Sequence, residues 1–464
     1  MKCMTNTKKL FGDKKFYISA LLLALPVMGQ NLIENLVNLI DNFMVSGLGD
    51  IKMSGTSVSG QIIFVFMILL NAVCMSGGIF LTQYRGADDR QGMKQAVLFK
   101  SIVSGALLVI YLLICLVFPR QVLGMLLIGN NEASIILDEG VKYMNMMAFC
   151  GLPMVVSYIC SSSLKEIGYV KQPLYVAFLA AIINMIFNYL LIYGNFGFPR
   201  LEVVGAALAT VIARTIEALV FLHIIKKGEA PFAIKPKDFL SVDFNLFKNI
   251  FSKGARVMVS ELIWAIAETI TVALYNGKGG SDVVSGMAAS FTIANLYFTA
   301  FGGVNIATGV IIGKLLGEGK LEEAREKRRW LSSGTAIFSI FVTLIAVSTT
   351  LLVPIVYSNL SLSAQEICAK MVFYMALFMP AWIIFNVQMA VARAGGDTDM
   401  AFILDGMVNI FVAIPLVIYL AKCTDVGPVG IYCLSKFVDV ARVIACYFWL
   451  KREKWLVNLT TKEV

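Results

Sequence analysis

The sequence predicts an all-α integral membrane protein, with twelve transmembrane helices in two six-helix lobes related by a pseudo-two-fold axis. Three observations predict it. The 464 residues are 58% hydrophobic and 15% charged, with a mean hydropathy of +0.78, a balance unlike that of soluble domains. Apolar runs of helical period, long enough to cross a bilayer, fall into two sets of six. Motifs of the first set return, in order, in the second.

The first set reads as spans at 16–41, 57–83, 96–118, 138–163, 173–194 and 203–225. A polar segment with Pro and Lys follows, and a second set reads at 254–276, 286–313, 331–354, 368–393, 400–421 and 428–450. The expected organisation is an N-lobe over 1–225, a cytoplasmic inter-lobe loop over 226–250, and a C-lobe over 251–464 with a short cytoplasmic tail. The basic start MKCMTNTKKLFGDKKF resembles a signal-peptide n-region. The apolar run after it is too long for an h-region and lacks a small-x-small cleavage site, so it reads as an uncleaved first helix.

The internal matches keep a slowly drifting offset. Pro26-Val27-Met28 aligns with Arg256-Val257-Met258, and Gly47 and Gly49 with Gly277 and Gly279, 230 residues on. GIFLTQYRG (Gly78–Gly86) meets GVIIGKLLG (Gly309–Gly317) at 231, each running into a charged loop. Pro153 and Gly168 meet Pro380 and Gly395 at 227. An ancient duplication explains four such matches in order. With six spans per half, the repeats share one topology, so the axis runs along the membrane normal and substrate is expected between lobes near the midplane.

The net charge of +9 is no nucleic-acid signal, because the basic residues alternate between short loops. With the N-terminus in the cytoplasm, cytoplasmic segments hold 29 of the 39 Lys and Arg and outer loops 8, while Arg214 and Arg442 lie within spans. That asymmetry puts both termini in the cytoplasm of a multi-pass cell-membrane protein. Nine cysteines occur, among them Cys74, Cys115, Cys150, Cys160, Cys368 and Cys446 within apolar runs, and none forms a CxxC motif. They read as small buried hydrophobes. Cys423 and Cys433 flank an outer loop, where a disulfide is an alternative. His223 is the only histidine, which argues against a His-built metal site or a catalytic histidine. The loop EGKLEEAREKRRW reads as a solvated amphipathic segment.

Function points to Leu25–Gly49. This helix-period stretch carries Gln30, Asn31, Glu34, Asn35, Asn38, Asp41 and Asn42 within an arc of about 140°, with apolar residues covering the rest. An acid near mid-bilayer costs about 2.5–3.5 kcal/mol on insertion scales. Two acids on one face therefore call for a partner, water or an ion. Pro26 precedes them and is the expected bending point. The functional reading is a bendable, cation-binding helix, and the bland one is a polar helix–helix seam. Asp41 and Glu34 lie two turns apart on one face. A proton needs only a carboxylate whose pKa burial raises. Na⁺ needs several oxygens, which Asn184 and Asn188, one turn apart, could supply with Asp41. Interhelical hydrogen bonding, often about 1 kcal/mol, is the alternative role for these amides. Glu261 and Glu268 repeat the seven-residue spacing on span seven. Together with Asn38 and Gln30 they are candidates for a substrate cavity, with Tyr275, Phe291, Phe298 and Phe301 available for stacking on a cation. Pairing of either Glu with Arg256 or another neighbour is the structural alternative.

These residues resemble the multidrug and toxic compound extrusion (MATE) family over nearly the whole chain. Pro26 followed by D-x-x-x-V-x-x-L-G from Asp41 to Gly49 is similar to the family's opening pattern. Asn184-x-x-x-Asn188, then LLIYG and VVGAALATVIAR, is similar to its fifth and sixth spans, and Arg393-Ala-Gly-Gly-Asp-Thr398 to its R-x-x-G-D-T. The resemblance implies a V-shaped pair of six-helix bundles that exports organic, often cationic and lipophilic, compounds against inward H⁺ or Na⁺. It implies an N-lobe cation site on Asp41 with Asn184 and Asn188. Where some DinF-like members have a second span-five Asp, this chain has Asn188. NorM-like members have acids in spans seven and ten. Here Glu261 and Glu268 fall out of clean register, and span ten offers Asn386 and Gln388 before Arg393, so coupling rests on Asp41.

The expected protein is thus a monomeric cation-coupled antiporter, with no cofactor beyond H⁺ or Na⁺ as coupling ion and no nucleic-acid partner. A lipid-linked precursor flippase of the same superfamily is the alternative, opposed by twelve spans and by acids on spans one and seven. An enzyme would need a nucleophile–base pair or metal ligands, and no such motif exists. A six-plus-six duplication suits rocking lobes better than a passive channel.

Overall fold

The computed structural model describes residues 10–127, 132–228 and 230–461. It is all-helical, with no strand among the described residues. Eleven helices are long and apolar enough to cross a membrane: α1 (Lys14–Ser46), α2 (Asp50–Gly86), α3 (Arg90–Leu116), α4 (Ala133–Glu166), α5 (Lys171–Tyr193), α6 (Glu202–Lys227), α7 (Phe244–Asn276), α8 (Ser281–Gly317), α9 (Leu321–Val356), α10 (Leu362–Ala394) and α11 (Thr398–Cys423). The twelfth, α12 (Pro428–Leu450), has 23 residues and completes the set. It carries Lys436, Asp439 and Arg442, charges that an apolar span would not bear without partners.

The helices outrun the apolar stretches. The charged turns of Leu321–Trp330 are already the start of α9, because exposed Glu, Lys and Arg are good helix formers. They are also less solvated than expected. Trp330 is 9% exposed, Lys327 Nζ lies 3.9 Å above its ring, and Arg325 clamps Glu453 with Nε–Oε1 and Nη2–Oε2 at 2.8 and 2.7 Å. Cys423 and Cys433 are both free thiols, so the disulfide alternative falls.

Local geometry carries the duplication. α2 ends with Asp88 at φ 53° and α8 with Gly319 at φ 74°. The closing bonds are matched: Asp88 N to Arg85 O and Asp89 N to Tyr84 O in one, Gly319 N to Leu316 O and Lys320 N to Leu315 O in the other. These are paired left-handed helix stops, 231 residues apart. α4 and α10 end alike at Gly168 (φ 92°) and Gly396 (φ 76°). The structural counterpart of Gly168 is therefore Gly396, one residue beyond the Gly395 match read from the sequence, because the left-handed position follows the cap residue.

By contacts the chain divides into two compact units. One comprises Gly29–Leu81 and Arg90–Gly254; the other comprises the chain up to Met28, Thr82–Asp89 and the chain from Ala255 on. The division thus runs through α1, just after Pro26, through α2 and through α7. α1 stays helical through Pro26. In the first unit, small residues let backbones meet. Ser59 Oγ donates to Gly140 O at 2.9 Å, and a Cβ on Gly205 would lie 2.4 Å from Leu191 O. Phe66 stacks on Tyr111 at 4.2 Å, and Tyr111 donates to Met147 O at 3.0 Å. In the second unit, Met287, Met371, Met375, Met379 and Ile383 form a core that is 0–1% exposed.

Candidate functional site

In the first unit the polar stripe of α1 meets α5 and α6. Asn188 Nδ2 donates to Asp41 Oδ1 at 2.6 Å and to Asn184 Oδ1 at 3.0 Å. Asn184 Nδ2 in turn donates to Thr210 Oγ1 of α6 at 3.4 Å. The amides are 4% and 1% exposed, and their four-residue spacing on α5 stacks them into a ladder that ends on the carboxylate. Asn188 Oδ1 is buried and accepts no hydrogen bond among the described residues. Such an orphan acceptor costs about 1–3 kcal/mol.

Asp41, Asn184 and Thr210 border a cavity of about 500 Å³, open solvent at its mouth included. Glu34, Asn38 and Asp41 line one side and Asn184 and Thr210 another, while Arg214 and Glu217 complete the polar wall. Gln30 Nε2 donates to Glu34 Oε1 at 3.0 Å and reaches Ser161 Oγ at 3.5 Å. Arg214 is spent on its own helix, with Nη1 donating to Glu217 Oε2 at 2.8 Å. Neither Asp41 nor Glu34 makes an ion pair among the described residues. The wall thus holds three carboxylates, those of Asp41, Glu34 and Glu217, the last paired with Arg214, beside neutral amide and hydroxyl oxygens. The two carboxylates without an ion pair and these oxygens are a donor set suited to a proton or a hard monovalent cation.

The structure brings together Asp41, Glu34, Asn184, Asn188, Asn38 and Gln30. Glu261 and Glu268 belong to the second unit. Glu261 Oε1 accepts from Arg393 Nη2 at 3.2 Å, and Arg256 pairs instead with Asp399 at 2.9 Å. Glu268 makes no hydrogen bond or ion pair among the described residues. Tyr275, an expected stacking residue, is 1% exposed and bonds Ser435 Oγ at 3.2 Å, so it belongs to the core. Phe291, Phe298 and Phe301 pack against that same core.

Thr210 and the Arg214–Glu217 pair were not anticipated as site residues, although a charge inside a span is itself a signal. The buried pair Lys100–Glu166 was also missed. Lys100 Nζ lies 2.5 Å from Glu166 Oε2 and donates to Ser162 and Ser163 at 3.2 Å. Among the described residues, no group of three or more His, Cys, Asp or Glu could hold a metal ion.

The site is a polar, carboxylate-bearing cavity walled by membrane-length helices of a multi-span protein. The chain belongs to the MatE family, whose model matches residues 26–190 and again residues 257–419. The two matches begin 231 residues apart, in line with the helix stops above. The chain is 24% identical over 318 residues to the probable multidrug resistance protein NorM of Thermotoga maritima, covering 65% of this chain and 63% of that one, under two thirds of the relative's length. It is 21% identical over 439 residues to the probable NorM of Halalkalibacterium halodurans, covering 92% of each. A solved structure described as the outward-facing conformation of a multidrug resistance MATE family transporter shares the fold, with a TM-score of 0.82 at 18% identity over 99% of this chain and 100% of that one.

Proposed function

We propose that this MatE-family protein exports small organic compounds, cationic or lipophilic, in exchange for H⁺ or Na⁺ by alternating access, with Asp41 as the coupling carboxylate. The carrying observation is that Asp41 makes no salt bridge among the described residues, borders a cavity and is held by Asn188. A half-buried acid that is not locked in an ion pair can take up a small cation without first breaking one. Glu34 at the same cavity is a second acceptor, and Asn184 and Asn188 supply amide oxygens. The unpaired Asn188 Oδ1 supports a direct role in holding Na⁺. Pro26 leaves Leu22 O without its helical donor, and it is the bending point of α1 in this reading. Glu268 is the remaining acidic candidate for contact with a cationic substrate.

The protein works in the cell membrane as a monomer, with both termini in the cytoplasm, and without catalysis or an organic cofactor. The names of the relatives, multidrug resistance proteins, favour drug-like cargo over a lipid-linked precursor. Vesicles loaded with a fluorescent cation test the reading. An imposed Na⁺ gradient and an imposed pH gradient, applied separately, should identify one as the driver of efflux. Efflux that responds to neither overturns cation coupling.

A further inference from the structure

The second unit contains a polar cluster on α11 and α12 that the proposed function leaves unused. Asp405, Asn409 and Arg442 are 8%, 6% and 8% exposed. Arg442 Nη2 donates to Asn409 Oδ1 at 2.6 Å and Nη1 to Asp439 Oδ1 at 3.0 Å. Nη1 also lies 3.7 Å from Asp405 Oδ1, which accepts from Asn409 Nδ2 at 3.3 Å. Ser260 Oγ donates to Asp405 Oδ2 at 3.4 Å. Trp382 Nε1 donates to Asp439 Oδ2 at 2.8 Å, with Lys436 Nζ at 3.8 Å. α11 widens around these groups into two π-helical stretches, Phe402–Met407 and Asn409–Ala413. Such bulges cost helical regularity and gather at functional positions.

The two units carry matching sets of residues wired differently. α5 presents Asn184 and Asn188 four residues apart, and α6 presents Arg214 and Glu217 three apart. α11 presents Asp405 and Asn409 four apart, and α12 presents Asp439 and Arg442 three apart. In the first unit the arginine turns to its own helix neighbour and leaves Asp41 to amides. In the second the arginine reaches across to α11, where its planar fork binds oxygens on both helices. The charges there close. Asp405 and Asp439 face Arg442 and Lys436, and Glu261 of α7 is paired with Arg393 of α10 at 3.2 Å.

We propose that the Arg442 guanidinium is the resident cation of a site built by Asp405, Asn409 and Asp439. The second unit then takes up no mobile ion, and loss of the guanidinium opens a site for one there. This rests on the proposed function only in attributing coupling to the first unit. With the guanidinium gone Lys436 still faces Asp439, but the buried Asp405 loses the base it is paired with and must recruit a cation or a proton.

The test uses purified full-length protein in which D41N silences the first unit. Radioactive sodium binding against choline chloride is measured together with the infrared carbonyl band of protonated carboxylic acids. D41N should gain neither signal from the second unit, while D41N/R442Q should gain a single bound sodium ion or a protonated carboxyl, and adding D405N should remove the gain. If D41N/R442Q does not accumulate, D41N/D439N/R442Q leaves the single carboxylate of Asp405 and carries the same expectation. A monodisperse D41N/R442Q or D41N/D439N/R442Q with neither signal overturns the proposal. So does a gain that survives D405N, or a sodium ion in D41N alone that D405N abolishes. Because binding is read without transport, failure here leaves the role of Asp41 in efflux untouched.

Discussion

Asn188 on α5 donates a 2.6 Å hydrogen bond to Asp41 on α1, joining residues 147 positions apart in sequence. Hydrogen bonds to charged groups contribute about 1.5–3 kcal/mol. Asn188→Ala removes this one and also removes the unpaired Oδ1. The half-saturating concentration of the driving cation in vesicle efflux should therefore rise about tenfold or more, with expression unchanged. A curve superimposable on wild type would separate Asn188 from the cation.

Lys100 and Glu166 form a buried pair whose side chains are 0% and 8% exposed. Breaking a buried pair from one side strands a charge and costs about 3–5 kcal/mol, whereas replacing both partners by apolar groups is often neutral. K100M and E166L should each lower the thermal transition of the detergent-solubilised protein by several degrees, and K100M/E166L should recover most of the loss. Additive losses in the double variant would show that the pair is not the coupled unit drawn here.

Gly205 allows α6 to approach the end of α5, where Leu191 O would sit 2.4 Å from an added Cβ. Gly205→Ala must push the helices apart, an overpacking cost of about 1–3 kcal/mol. Since the same helix pair holds Asn184 against Thr210, the variant should lose both thermal stability and efflux rate. Unchanged melting would mean the helices have room to give.

Gln83 ties the C-terminal segment down. It donates to Ala394 O at 2.6 Å and Val457 O at 3.2 Å and accepts from Leu459 N at 2.6 Å. Gln83→Leu leaves these backbone groups unmatched at about 1–3 kcal/mol each. Limited proteolysis should then cut within residues 451–461 faster than in wild type. An equal rate would place the anchorage elsewhere, at Trp455, which is 0% exposed.

The span helices were legible because period and hydropathy act over a whole turn and more. The one-face arrangement of Glu34, Asn38 and Asp41, and the one-turn spacing of Asn184 and Asn188, could likewise be read as sequence, since helix geometry fixes them. Partnership across helices could not. Nothing in the spacing of Arg214 and Glu217 says that they close on each other rather than on Asp41. Lys100 sits near enough to a loop to count as a topology charge, yet it is buried. Asp405 is diluted in an apolar window, and only Arg442, a charge inside another span, hinted that it had a partner. The division through α1, α2 and α7 was hidden because a contact boundary need not fall in a loop.

The most direct test concerns Asp41 itself. Vesicles containing wild-type protein or Asp41→Asn, at equal protein content, are loaded with a fluorescent organic cation and challenged with an inward cation gradient. The expected result is gradient-driven efflux in wild type and none above the leak of empty vesicles in Asp41→Asn. Wild-type efflux rates in Asp41→Asn would contradict the coupling role of this carboxylate.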